Sequence, residues 1–98
     1  MPTENRSLPR TSPDVVWTTV ADGAVLYSTS RELYYGVNPV AAYVWEQLPP
    51  RTECFEQLCA AVQARFPDAS SEQIRADVEE LLDDFERFGL VEAVVEAR

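Results

Sequence analysis

The sequence contains no histidine and no lysine. Without histidine, the chain lacks the side chain that most often serves as general base or metal ligand near neutral pH. Only three glycines occur, Gly23, Gly36 and Gly89, so there is no Gly-rich loop to cradle a phosphate. The two cysteines, Cys54 and Cys59, are five residues apart. On one helix that spacing sets them about 140° apart around the axis, where they cannot bond each other. It matches neither a zinc site nor a redox pair, and two unpaired thiols fit a reducing compartment. No N-terminal apolar run resembles a signal peptide, and no stretch is long enough to span a bilayer. A cytoplasmic location is expected.

What is present suits one small domain. The chain has 98 residues, 46% of them hydrophobic, with two Trp, four Tyr and four Phe. That supports one modest core and leaves no room for a deep substrate cavity. The net charge is −9, from 17 acids against eight arginines. Nine of the acids fall between Glu72 and Glu96. Such a surface repels phosphate backbones and anionic membranes, so neither nucleic acid nor membrane is an expected partner. The acidic balance serves solubility, or it attracts a basic partner.

Hydrophobic patterning divides the chain. Residues 1–12 are polar, carry Pro2 and Pro9, and read as a flexible arm. Val15–Val20 is β-branched and aromatic, Asp22-Gly23 is a hairpin signal, and Ala24–Thr29 is the return strand. After a short turn, Glu32–Val37 reads as a third strand. The second half is helical. Asn38-Pro39 is a start signal, and Ala41, Val44, Trp45 and Leu48 form one apolar stripe ended by Pro49-Pro50. Thr52 is the expected cap of a second helix with the stripe Phe55, Leu58, Cys59, Val62 and Phe66. Ser70 with Gln73 has capping-box spacing for a third, whose stripe is Ile74, Val78, Leu81, Phe85 and Phe88, with Gly89 closing it. Leu90 and Val91 are expected to fold back on the core, and 93–98 to form a tail. The fold class is therefore α+β and winged-helix-like: a three-stranded antiparallel sheet followed by three helices that cover one of its faces. A winged helix often binds DNA. Here the last helix turns Glu79, Glu80, Asp83, Asp84 and Glu86 to solvent, which opposes entry into the major groove.

No catalytic constellation emerges. Cys59 lies on an apolar stripe and reads as a small core residue. Cys54 sits at a helix start with no histidine to act as its base, so a thiol enzyme is the weaker reading. The carboxylates of the third helix lie on an outer face, as solvated residues do. No catalytic residue, metal or cofactor is expected. The third strand is the feature left over. It ends the meander, so it lies at a sheet edge, and it carries Leu33, Tyr34 and Tyr35 with neither lysine nor proline. Its side chains pack on the helices, its backbone is open to an added peptide strand, or both. Edge-to-edge dimerisation through the same strand is a further possibility.

Tyr34-Tyr35-Gly36-Val37-Asn38, then Ala41-Ala42, Val44-Trp45 and Leu48, resembles the PqqD-like family pattern. A second block is also similar: Asp77-Val78-Glu79, Leu81-Leu82, Phe85 and Gly89-Leu90-Val91. The resemblance spans about residues 13–92. It implies a recognition element for ribosomally made, post-translationally modified peptides, one that binds the leader of a precursor peptide without catalysing a reaction. It further implies a leader paired to the third strand and packed in a groove against the third helix. The residues that carry over are Leu33, Tyr34 and Tyr35 on the strand, and Asp77, Val78, Leu81, Asp84 and Phe85 on the helix. Val78 and Phe85 also read as plain core, whereas Leu81 lies at the stripe's margin. A stand-alone member of a lasso-peptide pathway would hand the leader to a leader peptidase and an ATP-dependent cyclase. The alternatives are a peptide chaperone of the pyrroloquinoline-quinone pathway and a winged-helix transcriptional regulator. The chain departs from the pattern in three ways: Pro39 stands where an acid is common, Val37 replaces a leucine, and Pro49-Pro50 stiffens the first interhelical turn.

Overall fold

The computed structural model describes residues 7–92. Three strands, β1 (Val15–Val20), β2 (Gly23–Ser28) and β3 (Leu33–Val37), precede three helices, α1 (Pro39–Gln47), α2 (Phe55–Arg65) and α3 (Ser71–Arg87). The sheet is an antiparallel meander in the order β1-β2-β3, so β1 and β3 are its two edges. The expected α+β architecture is the observed one, with strand ends shifted by one residue.

The alternation of β2 sets the layers. Ala24, Leu26 and Ser28 are buried, while the residues between them are half-buried. The face bearing Ala24, Leu26 and Ser28 therefore receives the helices. Leu26, Val44, Phe55, Leu58, Val62, Val78, Phe85 and Leu90 form the centre of the core. Trp45 meets Phe85 edge to face at 5.3 Å, which fastens α1 to α3.

Local chemistry places the helix starts. The Asn38 side chain accepts a hydrogen bond from the Ala41 amide at 2.8 Å, with Pro39 in the first turn. Ser70 accepts from the Gln73 amide at 3.1 Å. The Gln73 side chain does not complete a capping box; it donates to Asp77 at 2.8 Å. Thr52 is not the cap of α2. It is buried, and its hydroxyl donates to the Gln47 carbonyl at 2.6 Å, sealing the end of α1, while Cys54 takes the cap position without a side-chain bond.

The reading of 1–12 as a flexible arm is corrected for residues 7–12. Ser7 bridges to Cys54 and Thr11 to Val91. Ser12 N–H donates to the Leu90 carbonyl at 3.0 Å, and Glu92 N–H to that of Arg10 at 2.8 Å. The run is polar by composition, yet its one leucine, Leu8, is buried in the core. Its backbone finds partners in 90–92, the segment that folds back after Gly89. Residues 1–6 and the expected tail 93–98 lie outside the described residues. Leu8→Ala is expected to cost roughly 2–3 kcal/mol in urea unfolding, as for a buried leucine. A loose arm would give no change.

Candidate functional site

The residues singled out on β3 and α3 face one another across a groove. α1 packs on both β3 and α3, and these two have few direct contacts. The space between them is a groove of about 440 Å³, walled by Tyr35, Val37, Ala41, Leu81, Phe85 and Phe88. It continues along α3 into a second hollow of about 320 Å³, where Asn38, Asp77, Glu80 and Asp84 replace the aromatic lining. One end of the trench is thus apolar and the other acidic. Leu81 and Asp84 belong to both halves.

The register decides which face of β3 lines the groove. Tyr35 pairs with Leu26, which is fully buried, so Tyr35 points to the helices. Its ring stacks on Phe88 at 5.3 Å and 28°. Tyr34 points the other way, against Tyr27 at 4.5 Å, and is 73% exposed. Leu33 shares the Tyr35 face by alternation but lies at the strand's start, 49% exposed and away from the groove lining.

The same register tells which backbone groups of β3 are free. Hydrogen-bonded pairs alternate along an antiparallel ladder. Thr29 N–H bonds the Asp14 carbonyl, so the alternate β2 residues Val25 and Tyr27 turn toward β1, and Ala24, Leu26 and Ser28 turn toward β3. Leu26 therefore exchanges bonds with Tyr35, and Ala24 with Val37. The Val37 carbonyl indeed points back at Gly23 on β2. What faces outward at the edge is the N–H and C=O of Tyr34 and of Gly36. Among the described residues nothing covers them: Gly36 is exposed, and a Cβ built on it meets no atom within 4 Å.

On α3 the expected residues separate. Leu81 and Asp84 are half-buried at the groove, and Asp77 lines its acidic end. Asp77 accepts from Gln73, and Asp84 accepts from Arg87 one turn on. Phe85 is buried but closes the groove floor. Val78 is fully buried and does not reach the groove. Sequence reasoning missed Phe88. It continues the α3 stripe, which marked it as core, yet it is 38% exposed because the helix ends at Arg87 and Gly89 turns the chain. The aromatic at β3 position 35, which needs a partner across the gap, is the signal that could have found it.

Residues 23–91 match the family described as Coenzyme PQQ synthesis protein D (PqqD). The chain belongs to the PqqD family. Two solved structures share its fold. One is TbiB1 in complex with the TbiA(beta) leader peptide: the TM-score is 0.76 at 21% identity, over 89% of this chain and 99% of that one. The other is a lasso peptide synthetase B1 complexed with the leader peptide: TM-score 0.74 at 15% identity, over 86% of this chain and 96% of that one. None of the curated proteins matches. The PqqD match begins at Gly23, so it takes in β2, β3, all three helices and every groove residue, and leaves β1 outside.

Proposed function

We propose that this chain is a non-catalytic adaptor. It binds the leader segment of a ribosomal precursor peptide as a fourth strand on β3 and delivers it to modifying enzymes, those of a lasso-peptide pathway in first place. The observation that carries the reading is the open Tyr34–Gly36 edge beside a groove with one apolar and one acidic end. Main-chain pairing supplies affinity that tolerates sequence variation, and side chains entering the groove supply choice. A peptide strand paired to Tyr34 and Gly36 sends alternate side chains toward Tyr35, Leu81, Phe85 and Phe88. A basic or hydroxyl side chain further along meets Asp77, Glu80 and Asp84. Both of the solved structures named above hold a leader peptide, which supports the same assignment here.

As an adaptor the protein raises the local concentration of its peptide at the enzymes. A leader peptidase and an ATP-dependent cyclase are the proposed recipients, in the cytoplasm. Among the described residues, no helix is long and apolar enough to cross a membrane. A peptide chaperone in the pyrroloquinoline-quinone pathway is the second reading, favoured by the family description itself.

The test is fluorescence anisotropy with labelled leader peptides taken from the precursor genes of the two pathways. Wild-type protein is expected to bind one of them. Leu81→Glu, which sets a carboxylate in the apolar wall, is expected to weaken that binding about 30-fold or more. Leu81 is only half-buried, so circular dichroism is expected to show a folded variant. Well-folded wild-type protein that binds neither leader would sink the proposal.

A further inference from the structure

Among the described residues no strand pairs with the outer edge of β1, and the family match does not reach it. β1 reads Val15-Val16-Trp17-Thr18-Thr19-Val20, with no charge and no proline, in a chain that is 26% charged. All but its first residue are exposed. Folded proteins normally blunt such an edge with lysine, proline or a bulge, because its free N–H and C=O groups recruit another strand. By the alternation already fixed, Val16, Thr18 and Val20 turn their backbone groups to β2. Those of Trp17 and Thr19 face outward. The Val15 N–H is already taken by the Ser12 carbonyl at 3.1 Å.

We propose that β1 pairs with β1 of a second copy of this chain, antiparallel across a twofold axis at Thr18. The strand is complementary to itself in that register. Trp17 and Thr19 of one copy exchange bonds with Thr19 and Trp17 of the other, which satisfies the free groups of both residues. On the outer sheet face, Val16, 55% exposed, meets Val20 of the copy, 49% exposed, and Thr18 meets Thr18. Shifting the axis to Trp17 would oppose Thr19 with Val15, whose N–H is engaged, and leave Val20 unmatched. On the helix side Trp17 borders a hollow of about 420 Å³ together with Trp45 and Pro49. The contact is isologous and closes at two copies. It yields a continuous sheet in the order β3-β2-β1-β1-β2-β3, with both β3 edges free at its ends.

Such a contact falls at the low end of specific interfaces, below roughly 1,200 Å², so the dimer is concentration-dependent. The charge of −9 on each copy opposes it, so salt strengthens it. Sedimentation velocity on the full chain, from micromolar to millimolar, is expected to show the mass rising from 11.0 kDa toward twice that value. Thr18→Lys opposes two cations across the axis and is expected to weaken the dimer about tenfold or more. Thr18→Glu does the same with two anions. Mixing the two variants is expected to restore a dimer containing one of each, as a contact that brings the two Thr18 positions together requires. Three results would overturn the proposal: a monomer at every concentration, a dimer indifferent to Thr18→Lys, or two monomeric variants that fail to associate when mixed. A dimer lost with Gly36→Pro instead would place the contact on β3 and overturn it equally.

Discussion

Replacing Gly36 with proline is expected to weaken peptide binding by about 10- to 100-fold while the domain stays folded. The argument turns on parity along β3. Proline removes one N–H and fixes φ near the extended range, so its effect depends on where that N–H points. At Gly36 it points to the open edge, away from β2, and a built Cβ meets nothing within 4 Å. The preceding Tyr35 is already in a strand, the conformation a following proline favours. Folding therefore loses little. A peptide paired to this edge loses a donor, must leave its own carbonyl unsatisfied, and meets the proline ring. Tyr35→Pro is the control one residue away. There the lost N–H is the one bonded to Leu26, in the middle of the sheet, and the domain is expected to unfold. Anisotropy with a labelled leader and thermal melts by circular dichroism read both variants. Equal binding by wild type and Gly36→Pro would exclude strand addition on β3, even if Leu81→Glu showed that the groove is used.

Much of this site was legible in the sequence, for identifiable reasons. Elements were readable where local chemistry is self-sufficient. Asn38-Pro39 starts a helix whatever lies around it, and Asp22-Gly23 turns a hairpin. The α3 stripe told core from margin, and Val78 and Leu81 fall on the sides that their positions imply. The failures concern tertiary partners. Thr52 has the chemistry of a cap, but its hydroxyl donates to the Gln47 carbonyl at the end of α1 instead. Residues 7–12 look like an arm because polar composition says nothing of the strand partner waiting at 90–92. Leu33, Tyr34 and Tyr35 are all apolar enough for either face, so composition cannot orient β3. The pairing of Tyr35 with buried Leu26 does. Phe88 falls on the apolar stripe and is nonetheless partly exposed, because periodicity cannot see where a helix stops short of its neighbours.

The second large effect is expected at Gly23, which lies outside the groove lining. Its φ is +139°, a conformation essentially reserved for glycine, and it closes the β1–β2 hairpin opposite Val20. A Cβ there would lie 1.9 Å from the Val37 carbonyl oxygen and 2.9 Å from its carbon. Both are backbone atoms at the end of β3, one residue before the Asn38 cap of α1. They cannot yield as the end of a long side chain can. Moving them breaks the Ala24–Val37 pair or tilts the start of α1, the helix that holds β3 and α3 at the width of the groove. Gly23→Ala is therefore expected to cost at least about 3 kcal/mol, from backbone strain and the enforced shift together. That is a large share of what a small domain has. Gly36→Ala supplies the contrast on the same chemistry: with open space around it and no positive φ, it is expected to stay within about 0.5 kcal/mol of wild type. Urea unfolding separates the two. If both alanines were tolerated alike, the close approach of β2 to the β3–α1 junction would not be what sets the groove's geometry.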